Sequence, residues 1–180
     1  RQPLRAIHTH WSALNVPCRL IHADSMPRRL VGQPGPLSAG VRTIRPMTDH
    51  LAALRERQQQ FVATIPLVDA ATRVPWCGRW KVRNLVEHLA RVHHWAAGQA
   101  RRRAEVALGR GPFELVPFYS TQADELFDTL SELDPDAPAW ALSDDGLPKD
   151  QRTGTVRFWH RRQALETLVH LWDLRTAGGL

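Results

Sequence analysis

The sequence predicts an all-α protein in which four amphipathic helices form a bundle. Apolar residues recur at helical spacing in four segments of the chain, and no segment shows the strong alternation typical of a β-strand. Connections of unequal length, rich in proline and glycine, separate these segments. With 180 residues, of which 43% are hydrophobic, the chain is long enough for one domain with a single core.

The first 46 residues differ in composition from the rest of the chain. They contain six of the 13 prolines and no sustained apolar periodicity, a pattern typical of disorder. We interpret residues 1–46 as a disordered or spurious N-terminal extension, with the natural start at Met47; a genuine flexible tail is the alternative. Residues 47–180 are then expected to form the folded domain.

The net charge of +6 also lies in this first segment, which carries seven basic residues and one acidic residue. The remainder of the chain is therefore neutral. A nucleic-acid-binding domain is expected to carry its basic excess on the folded surface. We accordingly expect no nucleic-acid partner.

The first two predicted helices are bounded by clear local signals. The first should begin at a cap on Thr48 or Asp49 and end at Pro66. Its apolar positions are Leu51, Leu54, Phe61 and Ile65. The second should run from about Val82 to Ala107, after a turn-rich aromatic connection, and be closed by a glycine-proline stretch. Its apolar stripe consists of Leu85, Val86, Leu89, Val92, Trp95 and Ala96.

The last two predicted helices are separated by a longer irregular connection. The third is expected over Tyr119 to Leu133, stopped by Asp134-Pro135. An irregular stretch then runs to about Gly154. The fourth helix should cover roughly Val156 to Thr176 and end at the glycine pair 178–179, because helices commonly terminate at glycine.

Two further classes of protein are not expected from the composition. No window holds the roughly 18 uninterrupted apolar residues of a membrane span, and no charged start runs into the apolar region of a signal peptide. Cys18 and Cys77 are the two cysteines, too few for a disulfide framework. We therefore expect a reducing, cytoplasmic setting and no membrane association.

The fourth helix carries a pair of residues with metal-ligand chemistry. Glu166 and His170 are four residues apart, so their side chains lie on one helix face. That face should point into the bundle, where a carboxylate and an imidazole are costly to bury without partners. A metal ion would satisfy both groups. The spacing alone is weak evidence, because most such pairs are contacts on helix surfaces.

His88 on the second helix is the candidate third ligand. Apolar neighbours place it near the buried stripe, although a core histidine bonded to a backbone carbonyl is the alternative. His93 and His94 fall off that stripe or at its edge and are poorer candidates, and Glu87 should face solvent. Two histidines and one glutamate with a vacant coordination position are typical of catalytic zinc sites.

Two sequence motifs surround the candidate ligands, one containing His88 and the other containing Glu166 and His170. The first is Val74-Pro75, Cys77, Trp80 and Leu85-Val86-x-His88-Leu89. The second is Phe158-Trp159-x-Arg161-Arg162-x-x-x-Glu166-x-x-x-His170-x-x-Asp173. In type and order the motifs resemble those of the mycothiol-dependent maleylpyruvate isomerase family. The resemblance covers about residues 47–180 and implies a DinB-like metal-binding domain whose metal ligands are His88, Glu166 and His170.

The resemblance also implies a chemistry. It suggests a divalent metal, zinc as the first choice, with mycothiol as cofactor and a small organic acid as substrate. In the isomerase reaction, a thiolate adds to the cis double bond of maleylpyruvate, allows rotation and leaves to give fumarylpyruvate. The residues themselves do not specify that substrate. A thiol S-transferase or hydrolase using the same ligands is one alternative, and a non-catalytic metal-binding module is another. The family's C-terminal domain is not expected within these 180 residues.

Residues around the proposed ligands suggest supporting roles. Asp173 lies one turn beyond His170 and could hold its second ring nitrogen, or it could be a surface acid. Arg162 lies one turn before Glu166 and is the candidate catalytic residue, able to orient that carboxylate or to meet an anionic substrate. We favour a packed thiol over a nucleophile for Cys77.

One departure from the family pattern affects the start of the second helix. The family has Trp-Thr-x-x-Asp there, whereas this chain has Trp80-Lys81-Val82-Arg83-Asn84. A lysine opposes the helix dipole and asparagine is a weaker capping partner. The second helix should therefore be weakly capped.

Overall fold

Four helices make up most of the computed structural model, which describes residues 49–142 and 153–180. They are α1 (His50–Thr64), α2 (Val82–Ala100), α3 (Leu115–Glu132) and α4 (Val156–Gly178). A 3-10 turn, Ile65–Leu67, follows α1. The all-α four-helix architecture predicted from the sequence is confirmed. The extension expected over residues 1–46 lies outside the described residues.

The helices form a ring in which α1 packs mainly on α4 and α2 mainly on α3. Contacts between α2 and α4 and between α1 and α3 close the ring. His93 meets Gln163 and Trp95 meets Trp159, so α2 and α4 run antiparallel. Two hydrogen bonds join later residues of α1 to later residues of α4, so these helices run parallel. Two others join later residues of α2 to later residues of α3, so this pair is also parallel.

The parallel pair α2 and α3 requires a connection that returns along the bundle. Residues 101–114 make this return along α2 and are held there by its side chains. The carbonyls of Val106, Gly109 and Phe113 accept hydrogen bonds from His94, Arg91 and Arg83, respectively. Successively later residues of the connection are thus bound by successively earlier residues of α2.

The end of α2 differs from the prediction, which extended the helix to Ala107. Arg101 caps the helix, and Arg102 adopts a left-handed conformation with φ of 55°. The Arg103 N–H donates to the Gly98 carbonyl at 2.9 Å and the Arg102 N–H to that of Gln99 at 3.1 Å. These two bonds form a Schellman motif. Glycine usually occupies the left-handed position, so the arginine there did not indicate in the sequence that the helix ends.

More of the backbone N–H groups at the start of α2 have hydrogen-bond partners than the predicted weak cap implied. Asn84 Oδ1 accepts a hydrogen bond from the Lys81 N–H at 3.0 Å. The Val82 and Arg83 N–H groups donate to carbonyls of residues 72 and 70, at 2.9 and 3.0 Å. The preceding turn therefore supplies the acceptors that a stronger capping side chain would have provided.

The remaining boundaries agree with the sequence to within a few residues. Asp49 caps α1, accepting from the N–H groups of residues 51 and 52, and Gly179 ends α4 with φ of 68°. Helix α3 begins four residues earlier than predicted. An antiparallel pair of short strands, β1 (Pro138–Trp140) and β2 (Thr153–Thr155), was not predicted. Three-residue strands are too short to produce a recognisable alternation.

One cluster of buried apolar side chains lies toward one end of the bundle. It gathers the N-terminal halves of α1 and α4 and the C-terminal halves of α2 and α3. Its members include Leu54, Ala96, Ala97, Leu126, Leu130, Val156 and Trp159, all fully or almost fully buried. Over the described ranges, no helix is both long enough and apolar enough to cross a membrane.

Candidate metal centre

The antiparallel packing of α2 and α4 brings the three predicted ligands together. His88 lies in the second turn of α2, and Glu166 and His170 lie in the C-terminal half of α4. One ligand atom from each residue lies within 4.8 Å of the other two. The three residues therefore form one compact group although His88 is roughly 80 positions from the other two in sequence.

His170 is oriented by a carboxylate on its own helix. Its Nδ1 lies 3.0 Å from Asp173 Oδ2, and both side chains are almost fully buried. A carboxylate is an acceptor, so Nδ1 donates its proton to Asp173. The other ring nitrogen, Nε2, faces Glu166 Oε1 at 3.4 Å. Asp173 thus fixes the ring so that Nε2 points into the ligand group.

Glu166 is oriented from its other side by Arg162. The guanidinium donates a hydrogen bond through Nη1 to Glu166 Oε2, one helical turn away. The second oxygen, Oε1, remains directed at His170. The Arg162 side chain is 30% exposed, so part of its guanidinium faces the surface.

The charges of this group reinforce one another. Burial raises the pKa of Glu166, but the hydrogen bond from His170 and the positive charge of Arg162 outweigh it and lower the pKa to about 2. Burial lowers the pKa of His170, but hydrogen bonds to Asp173 and Glu166 outweigh it and raise the pKa to about 9. At neutral pH these two residues therefore form a carboxylate–imidazolium pair.

His88 completes the group as a neutral imidazole. Burial, together with the charge of His170, lowers the pKa of His88 from 6.5 to about 4. Its ring meets that of His170 edge to face, with centroids 5.4 Å apart. The Trp80 ring packs on it at 4.8 Å. His88 therefore presents an unprotonated nitrogen in a partly apolar setting at neutral pH.

The donor set fits a divalent cation. It offers one neutral imidazole, one carboxylate and one imidazole whose Nε2 proton a cation would replace. Nitrogen and oxygen donors of this kind suit zinc and related transition metals. Three protein ligands also leave a fourth position for another molecule, which is typical of catalytic rather than structural zinc sites.

Two other histidines of α2 lie outside this group. His93 is fully buried and bonds Gln163 and Tyr119, each at 3.2 Å. His94 bonds Glu125 at 2.5 Å and, through its other ring nitrogen, the return connection. Sequence reasoning missed the His93 contacts, because they depend on which residues of α3 and α4 lie opposite.

Three further residues take positions that the sequence only partly indicated. Glu87 is half-buried and lies 3.6 Å from Arg83, rather than facing solvent. Arg91 lies over the Phe113 ring and bonds the Gly109 carbonyl. Cys77 is buried, as expected for a packed thiol.

Comparison with known families links this geometry to a named domain. Residues 51–175 match the family model described as the mycothiol maleylpyruvate isomerase N-terminal domain. Comparisons with curated proteins and with solved structures find no match. The matched region takes in nearly all of α1, the whole of α2 and α3, and α4 as far as Arg175, and it therefore includes the three proposed ligands. Together with the four-helix architecture, the match confirms the DinB-like fold.

Proposed function

Because the chain belongs to the family of mycothiol maleylpyruvate isomerase N-terminal domains, we propose that it binds one divalent metal ion and serves a thiol-dependent isomerase or transferase. His88, Glu166 and His170 are the proposed ligands, zinc the proposed metal and mycothiol the proposed thiol. The observation that carries the proposal is the convergence of three ligand atoms within 4.8 Å.

The protein's own residues prepare this group before any ion arrives. Asp173 holds the Nδ1 proton of His170 and so leaves Nε2 as the ligand atom. Arg162 holds one oxygen of Glu166 and leaves the other for the ion. Neither ring nor carboxylate needs to rotate far, and this preorganisation lowers the entropic cost of binding.

The proposed ligands also set the charge offered to a thiol. Two neutral imidazoles and one carboxylate around a divalent ion leave one net positive charge, which favours an anionic fourth ligand. A divalent ion bound in this way supplies Lewis acidity that keeps a thiol as thiolate near neutral pH. The Trp80 ring packs on His88 and provides an apolar surface on that side of the group.

Arg162 is proposed as the residue that receives the substrate's negative charge. One of its five N–H donors is bonded to Glu166, and the side chain is partly exposed. Guanidinium groups bind carboxylates through paired hydrogen bonds. A small organic acid bound there would lie beside the ligand group, which is the arrangement that reaction with a metal-held thiolate requires.

The proposal is tested in two steps on the purified chain. Elemental analysis should find about one divalent ion per chain, and calorimetry should then detect mycothiol binding to the zinc-loaded but not the chelator-treated protein. An assay with maleylpyruvate distinguishes isomerase from S-transferase activity towards other acceptors. Retention of metal with no thiol binding would instead favour a metal-binding module, and failure to bind any divalent ion would refute the proposed site.

A further inference from the structure

A buried polar network crosses the bundle next to the ligand group. Tyr119 of α3, His93 of α2 and Gln163 of α4 are all 0% exposed. The Tyr119 hydroxyl and the Gln163 side-chain oxygen each lie 3.2 Å from a ring nitrogen of His93. One imidazole therefore joins three of the four helices.

The direction of the hydrogen bonds follows from the state of His93. Burial lowers its pKa to about 4, so the ring is neutral and carries one N–H at neutral pH. The Gln163 oxygen can only accept, so the Nδ1–H of His93 donates to it. The Nε2 of His93 then accepts from the Tyr119 hydroxyl. Both ring nitrogens are used, and the bond to Gln163 ties α2 directly to α4.

This tie lies close to the proposed ligands along both helices. Gln163 precedes Glu166 by three residues, a rise of about 4.5 Å along α4. His93 follows His88 by five residues, a rise of about 7.5 Å along α2. The charges of Glu166 and His170 also influence the His93 ring. Any change in the spacing of α2 and α4 at His93 would therefore shift His88 relative to the other two ligands.

This polar network stabilises the core less than a fully apolar packing would. Within the described ranges, the Gln163 Nε2 is buried without a hydrogen-bond partner. Leaving such a group unpaired costs roughly 1–3 kcal/mol. Apolar side chains of similar size at positions 93, 119 and 163 together would avoid that cost. The cost is understandable if the network serves the neighbouring ligand group.

We propose that His93 is a positioning residue for the metal site: its bond to Gln163 fixes the spacing of α2 and α4 at which His88 meets Glu166 and His170. This inference rests on the proposed metal binding and adds a determinant of affinity that is not itself a ligand. Supporting groups around a metal site typically contribute 10–100-fold to affinity.

Three substitutions separate the two bonds of His93. The amide of His93→Asn reaches about as far as Nδ1 and retains the bond to Gln163. The longer amide of His93→Gln reaches about as far as Nε2 and retains the bond to Tyr119 instead. His93→Leu loses both. His94→Leu is the matched control, because it removes a histidine that bonds α3 and the return connection but not α4.

The measurements are cobalt affinity, by competition with a chelator, the visible spectrum of the cobalt-loaded protein, and the melting temperature without metal. We expect His93→Asn and His94→Leu to bind cobalt within a few-fold of the wild type. His93→Gln and His93→Leu should bind it about 10-fold or more weakly, with altered cobalt bands even where their melting temperatures match that of His93→Asn.

Two results would overturn the inference in distinguishable ways. If the wild type binds cobalt and the Asn, Gln and Leu variants lose affinity only in proportion to their melting temperatures, His93 is structural and the metal site stands. If the wild type binds no cobalt, both the metal site and this role for His93 are refuted.

Discussion

The two ends of the bundle use the same four helices for different purposes. At one end, the C-terminal halves of α2 and α3 pack with the N-terminal halves of α1 and α4 around apolar side chains such as Leu126 and Trp159. At the other end, α2 and α4 bring together the half-buried His88 and Glu166 and the buried His170 and Asp173. The helices are continuous through both ends, so the difference lies in their side chains alone.

This contrast shows where stability and chemistry are separated in a small fold. Apolar burial stabilises by about 25 cal/mol per Å² of surface removed from water. Burying charged and polar groups costs free energy unless every one of them is paired. We call the two ends the apolar end and the polar end after the groups that distinguish them, and substitutions of those groups should have different consequences.

The largest expected effect is on metal binding at the polar end. His88→Ala should lower metal affinity by more than the roughly 100-fold associated with loss of a supporting partner. The metal-free stability should change little, because the ring is neutral and is held by ring contacts. Elemental analysis and thermal melting measure the two quantities. His94→Ala is the control on the same helix, and full metal retention in His88→Ala would contradict the assignment.

The complementary change at the apolar end should affect stability instead. Leu126 is fully buried, and Leu126→Ala should lower the free energy of unfolding by about 2–5 kcal/mol through lost burial and a residual cavity. Urea denaturation measures this loss. The folded fraction should still bind metal as tightly as the wild type. A parallel loss of metal affinity would show that the two ends are not independent.

Lowering the pH should reduce the free energy of unfolding, because His93 of the buried network becomes protonated less readily in the folded than in the unfolded protein. The pKa of His93 is lowered by burial to about 4 in the folded protein and is near 6.5 when unfolded. Its contribution to stability is therefore complete above pH 6.5 and is lost as the pH falls towards 4, by about 3 kcal/mol.

Urea titrations of metal-free protein at pH 7 and pH 4 test this dependence. His93→Leu removes the titrating ring, so its free energy of unfolding should fall less over the same range. Equal falls in the wild type and the variant would mean that His93 does not contribute to acid sensitivity.

The smallest expected effect concerns Asp173, which accepts a hydrogen bond from the Nδ1 of His170. Asp173→Ala should weaken metal binding by roughly 10–100-fold without abolishing it. Asp173→Asn keeps an acceptor oxygen and should weaken binding less. Calorimetric titration with zinc measures both variants, with Arg161→Ala as an exposed control on α4. A loss as large as that of His88→Ala would mean that Asp173 is itself a ligand.

The features that the sequence predicted correctly depend on local chemistry. Asp49 caps α1 and the glycine pair at 178–179 ends α4, because both act within one helical turn. The shared face of Glu166 and His170 follows from helix geometry alone. His88 was a candidate from its place near the apolar stripe of the second helix, and the family resemblance supported it, since spacing within one helix does not show which residues of another helix lie opposite.

The features that the sequence did not predict depend on tertiary contacts. The end of α2 is set by the return connection packing along that helix, which forces Arg102 into a conformation usually taken by glycine. The bonds of His93 require knowledge that α3 runs parallel and α4 antiparallel to α2. Metal binding itself stays a prediction, because convergent ligand atoms indicate a site but do not measure affinity.

The division of the proposed ligands between α2 and α4 has a consequence for the order of folding. All of α3 lies between His88 and Glu166 along the chain, so closing that long loop is an unfavourable, non-local step. An early intermediate made only of α2 and α3 would contain one ligand and could not hold an ion at the native site. Cobalt added during refolding should therefore acquire its bound spectrum only when α4 docks, and the visible band would time the completion of the bundle.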